Sequence, residues 1–126
     1  MTWRLSVSGG FSAAHRLVGS GGKCESMHGH NFRVVLTVEG KRLDGSGMVV
    51  DFGVLKKVLN SVLGGLDHTD LNENSAFSGD SPSSENIARY ICREAAKELP
   101  FPHVQVRSVT VSESDTASAT YFPKGE

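Results

Sequence analysis

The chain has 126 residues, 38% of them apolar and 21% charged, with a formal net charge of -1. That length predicts one domain over residues 1–126, with no room for a second full core. The near-neutral balance argues against a nucleic-acid partner, and no run of about 18 apolar residues offers a membrane span.

The N-terminus lacks the basic-then-apolar pattern of a secretory leader. The two cysteines, Cys24 and Cys92, make no disulfide framework, so a reduced cytoplasmic setting is expected. Trp3, Leu5 and Val7 alternate with Arg4, Ser6 and Ser8, and Phe11, Ala13 and His15 continue the parity. Such period-two alternation predicts a half-buried strand over residues 3–15. Gly9-Gly10 in its middle predicts a bulge or sharp bend, so parity alone does not set the facing of His15. A Gly-rich loop follows over residues 18–23.

A second strand is predicted over residues 28–38, with His28, His30, Phe32, Val34, Leu36 and Val38 on one face. Its pairing with the first strand is expected to be antiparallel. Residues 41–47 read as a turn. Asp51 is a plausible N-cap for a helix in which Leu55, Val58, Leu59 and Val62 recur at helical spacing. Gly64-Gly65 stops it. Residues 66–80 read as a polar loop. Ser83 then caps a second helix, with Ile87, Ala88, Ile91, Cys92, Ala95 and Leu99 as its apolar stripe and Pro100 as its end. Residues 104–113 and 117–122 read as the last strands. The order ββααββ predicts an α+β domain, an antiparallel sheet with two helices on one face.

Chemistry concentrates in residues 24–31, Cys-Glu-Ser-Met-His-Gly-His-Asn. Two histidines at i and i+2 on a strand point the same way about 7 Å apart. A metal bound at about 2.0–2.1 Å from each nitrogen can bridge that span once the strand twists. An isolated His-x-His is also common where nothing binds, and His15 strengthens the metal reading only if the two strands are neighbours. Cys24 has two readings as well: a small buried apolar residue, or a thiol beside Lys23 that a nearby cation would ionise. Cys92 belongs to the helix stripe and is assigned to the core. Asp67-His68 either caps and bonds the backbone or forms a carboxylate-oriented proton carrier. Glu113 is either a solvated strand end or an anchor for a ring rich in N–H groups.

Taken together, Phe11-Ser-Ala-Ala-His15-Arg-Leu17, Cys24-x3-His28-Gly-His30-Asn-Phe32, Met48-Val-Val-Asp51-Phe52, Leu66-Asp67-His68-x2-Leu71-Asn72 and Pro82-Ser-Ser-Glu85-Asn86 resemble the 6-pyruvoyltetrahydropterin synthase / 6-carboxy-tetrahydropterin synthase family. The resemblance covers essentially the whole chain. It implies a tunnelling fold whose sheets close into a barrel on oligomerisation, usually as a homo-hexamer built from two trimers. It implies Zn2+ on His15, His28 and His30, Cys24 as catalytic thiol, and Asp67 with His68 as a proton-transferring pair. It implies that Glu113 grips the pterin, with Ser83, Ser84 and Glu85 lining the pocket. The Cys24-x3-His28 spacing resembles the 6-carboxy enzymes of queuosine biosynthesis. The substrate so implied is 7,8-dihydroneopterin triphosphate, and the products are 6-carboxy-5,6,7,8-tetrahydropterin, acetaldehyde and triphosphate. Arg16 and Lys23 are candidates for the triphosphate, or are simply solvated. The alternatives are a pyruvoyl-forming synthase with the same site, and a non-catalytic metal-binding relative. Two departures stand out: Ser83-Ser84 where Thr is frequent, and an extended loop over residues 73–81.

Overall fold

A computed structural model describes residues 1–17, 19 and 26–125. Strand β1, Trp3–His15, pairs antiparallel with β2, His28–Gly40, in unbroken register from Trp3 opposite Gly40 to His15 opposite His28. Alternation places Val7, Phe11, Ala13 and His15 of β1 and Phe32, Val34, Leu36 and Val38 of β2 on the buried face. Arg4, Ser6, Arg33 and Glu39 stay on the wetter side.

The expected bulge at Gly9-Gly10 is absent, and the parity runs through the pair. The glycines answer to packing instead. A Cβ on Gly9 would meet the Leu63 side chain at 3.0 Å, and one on Gly10 would meet the Phe32 carbonyl at 3.0 Å. Gly9 therefore lets a helix lie close over the strand, while Gly10 leaves room for the backbone of the neighbouring strand.

That helix is α1, Phe52–Gly64. The Asp51 carboxylate accepts the Gly53 N–H at 2.6 Å, and Leu55, Val58, Leu59, Val62 and Leu63 enter the core. It ends at Gly64 as expected. Gly65 keeps right-handed angles (φ -76°, ψ -13°), so the stop is not a left-handed cap. Helix α2, Ser84–Glu98, starts where the Ser83 hydroxyl accepts the Asn86 N–H at 3.2 Å. Its stripe of Ile87, Ala88, Ile91, Cys92 and Ala95 is buried. Burial pushes the Cys92 thiol up, consistent with a core role rather than a reactive one.

The stretch expected to be a plain polar loop is more ordered. It holds β3, Thr69–Asp70, which runs parallel to Ala13 and Ala14 of β1, and two short 3-10 turns, Leu71–Glu73 and Ser75–Phe77. Leu71 and Phe77 are buried there, a signal too sparse for any period to register. Strands β4, Val104–Ser114, and β5, Ala117–Tyr121, complete a sheet of order β3-β1-β2-β4-β5. The sheet is thus antiparallel except at β3. Helix α1 packs on β1, and α2 on β4 and β5, which leaves the histidine ends of β1 and β2 framed by the 66–83 segment. No helix among the described residues is long and apolar enough to cross a membrane.

Candidate metal centre

The register sets His15 directly opposite His28, and His30 opposite Ala13. All three imidazoles lie on the helix-covered face. Ring centroids are 4.5 Å apart for His15 and His28, 4.8 Å for His28 and His30, and 5.2 Å for His15 and His30. One ligand nitrogen from each lies within 4.8 Å of the others. The neighbour-strand condition for a three-histidine site is met.

The hydrogen bonds show which nitrogens are free. His15 Nδ1 lies 2.8 Å from the Pro82 carbonyl, and His28 Nδ1 lies 2.7 Å from the Ser26 carbonyl. A carbonyl can only accept, so each Nδ1 carries the proton and each Nε2 keeps its lone pair. His15 Nε2 is fully buried with no hydrogen-bond partner. A buried polar atom left unpaired is costly, and here it points among two other imidazoles. That orphaned nitrogen is what a metal ion fits. Burial, above all, holds the His15 pKa below its ordinary value, and the neighbouring His28 and His30 add to the effect, against the opposing bond to Pro82. The ring is therefore neutral near pH 7, the form that ligates.

Glu113 stands beside the cluster, with Oε2 3.3 Å from His30 Nε2. It follows Val109 and Val111 on the inward parity of β4, at the place where the β4–β5 register shifts. The Ser83-Ser84-Glu85 segment adjoins through Pro82, whose carbonyl holds His15. The Ser83 hydroxyl is taken up in capping α2.

Asp67 and His68 form a pair, His68 Nδ1 to Asp67 Oδ2 at 3.0 Å. Among the described residues no hydrogen bond or ion pair joins it to His15, His28 or His30, although His68 and His30 both line a shallow hollow along β1. Ser12 donates its N–H to Asp67 Oδ1 at 2.9 Å and accepts the His68 N–H at 2.6 Å, which hangs the pair on the outer edge of β1, away from β2. His68 has φ +57°, a left-handed conformation uncommon for a non-glycine residue, and its side chain is 82% exposed. The Ser12 N–H, and to a lesser degree the bond and charge of His68, hold the Asp67 carboxyl below its ordinary value. A carboxylate depressed in the folded state adds stability above its unfolded pKa, near 4, and gives it up as pH falls through the lower folded value. Asp67→Asn should therefore show a shallower loss of stability below about pH 4 than the parent, read from thermal midpoints between pH 3 and 7. Parallel curves would remove Asp67 from that acid limb.

Three supports were assigned no role from the sequence: Asn72 and the carbonyls of Pro82 and Ser26. Asn72 accepts the Arg16 N–H at 2.8 Å and donates to the Arg16 carbonyl at 3.1 Å, pinning the chain just after His15. The carbonyls of Pro82 and Ser26 orient two rings, and backbone oxygens carry no residue identity to read. Asn72 could have been singled out as part of the Leu71-Asn72 motif. Cys24 and Lys23 lie outside the described residues. Arg16 is exposed, and its backbone is held by Asn72.

A β-sheet backed by two helices, with three inward imidazoles at one end and an exposed Asp–His pair on the adjoining edge, defines a class: α+β domains with a three-histidine cluster able to hold a metal ion. Residues 4–124 match the family described as 6-pyruvoyl tetrahydropterin synthase. The chain is 38% identical over 125 residues to the 6-carboxy-5,6,7,8-tetrahydropterin synthase of Synechocystis sp., covering 95% of this chain and 93% of that one. It is 38% identical over 120 residues to the 6-carboxy-5,6,7,8-tetrahydropterin synthase of Bacillus subtilis, covering 90% and 80%. The solved structure of Caenorhabditis elegans 6-pyruvoyl tetrahydropterin synthase superposes with a TM-score of 0.85 at 29% identity, covering 97% of this chain and 96% of that one. The chain belongs to the 6-pyruvoyl tetrahydropterin synthase family and has its tunnelling fold.

Proposed function

We propose that this protein is a zinc-dependent carbon–carbon lyase. It converts 7,8-dihydroneopterin triphosphate to 6-carboxy-5,6,7,8-tetrahydropterin with release of acetaldehyde and triphosphate, a step of queuosine biosynthesis in the cytoplasm. The observation that carries the reading is the buried, unpartnered His15 Nε2 among two further imidazoles, inside a chain 38% identical to two synthases of that name.

His15, His28 and His30 would hold Zn2+, which when bound supplies Lewis-acid polarisation of the substrate's side-chain hydroxyls. Pro82 and Ser26 keep the rings in the ligating tautomer. Glu113 accepts N–H bonds from the pterin ring through its two oxygens, and its place beside His30 sets the reactive side chain at the histidines. Ser84 and Glu85 line the pocket, and Ser83 holds that wall by capping α2. Cys24, as thiolate, takes a proton from the side chain. His68, steadied by Asp67, returns one from the other side. Because this pair hangs on the outer edge of β1, we assign it to the site of a neighbouring protomer. Among the described residues, Ala13 and Ala14 of that edge pair with β3 and Ser12 bonds Asp67 and His68, so the stretch of β1 before Ser12 is open to another strand. This supports a homo-hexamer, a dimer of trimers, with sheets closed into barrels.

Incubation with 7,8-dihydroneopterin triphosphate tests the assignment. Acetaldehyde and triphosphate should form in equal amounts. The likeness to the C. elegans 6-pyruvoyl enzyme favours a second reading, which would give triphosphate with no acetaldehyde. Neither product would leave a metal-binding protein without this activity.

A further inference from the structure

At the end of the sheet remote from the histidines, the chain collects positive charge. A cleft of about 680 Å³ is lined by Thr2, Lys41, Arg42, His103, Lys124 and the single carboxylate of Glu39, among others. An adjoining hollow shares Glu39 and Lys124 and adds Arg4 and Arg107. Among the described residues, five of the chain's 13 lysines and arginines thus meet one acidic residue, Glu39, in a protein whose net charge is -1.

That one carboxylate is already matched. Glu39 Oε1 lies 2.6 Å from Arg4 Nε and 3.5 Å from Arg107 Nε. Arg107 is fixed further by the Gly125 carbonyl at 2.8 Å and by the Phe122 ring, 4.8 Å from its guanidinium carbon. Lys124 donates to the neutral Gln105 amide oxygen at 2.7 Å, with no acidic partner among the described residues. Lys41 and Arg42 have no acidic partner among the described residues. Among the described residues, the cleft's cations therefore outnumber its one carboxylate over a volume suited to a small molecule. Its flexible lysines offer point charges and its arginines planar forks, both suited to phosphate oxygens.

We propose that this cleft is a second binding site, for a small polyphosphate anion held by Lys41, Arg42 and Lys124. It stands apart from the metal centre: β2 runs from His30 to Gly40 between them, roughly 30 Å at 3.3 Å per residue. The phosphate could be free or the tail of a nucleotide, and the probes separate the two. Binding of inorganic triphosphate and of ATP is measured by calorimetry on the intact protein, in parent, His28→Ala and the triple variant Lys41→Gln, Arg42→Gln, Lys124→Gln. These three cations are exposed, and none is used in the core. Triphosphate should bind saturably at about one per chain, weaken with added salt, and persist in His28→Ala. The triple variant should lose at least about tenfold in affinity, while Lys56→Gln on α1 changes nothing. ATP binding no tighter than triphosphate indicates that phosphate alone is read; tighter ATP binding, still lost in the triple variant, indicates a nucleotide tail. The proposal fails if triphosphate does not bind, if the triple variant binds as well as the parent, or if binding disappears in His28→Ala.

Discussion

Cys24→Ala should keep a full complement of zinc and lose about 10²–10⁴ in turnover, the range for removing a positioned proton-transfer group. The three imidazoles already form a set, with two tautomers fixed by carbonyls and one lone pair buried for a ligand. A thiol is not needed to complete that set, and the proposed function gives Cys24 the proton transfer instead. Metal content and initial rate are measured on the same preparation. Zinc loss in step with activity would make Cys24 a fourth ligand, and full activity would remove its assigned role.

His15→Ala should do two kinds of damage where His28→Ala does one. His15 is 1% exposed, and its Nδ1 is the donor to the Pro82 carbonyl. Its ring stands edge-on to Phe32 at 5.4 Å. Truncation leaves a cavity and a carbonyl without its donor, together about 2–4 kcal/mol even in metal-free protein. His28 is only half-buried and bonds to a carbonyl two residues away. Its truncation should cost metal-free protein less than about 1 kcal/mol while still removing a ligand. Urea unfolding of chelator-treated variants reads the difference. Equal stabilities would mean that His15 has no structural share, and undiminished zinc binding in either variant would break the three-histidine site.

Much of the framework was legible because it rests on side-chain periodicity. Alternation gives β1 and β2, and their shared face brings His15 opposite His28. Two stripes with Asp51 and Ser83 as caps locate the helices. The failures have a common physical root. Gly9-Gly10 reads locally as a kink, but Gly9 makes room for Leu63 of α1 and Gly10 for the Phe32 carbonyl of β2, both distant in sequence. The two-residue β3 is held by Ser12 and Ala13–Ala14 of β1 rather than by any pattern of its own. The Asp67–His68 motif was visible as chemistry, yet its place on the outer edge of β1 depends on backbone atoms of Ser12. Carbonyl acceptors for His15 and His28 were invisible for the same reason.

X-ray absorption at the zinc edge of metal-loaded protein distinguishes the proposed open three-nitrogen site, with its separate catalytic thiol, from a site closed by sulfur. The expected spectrum has nitrogen and oxygen neighbours only, near 2.0–2.1 Å, with imidazole scattering from three histidines and a light fourth ligand. A sulfur shell near 2.3 Å would contradict it, placing Cys24 on the metal and closing the position where substrate must enter.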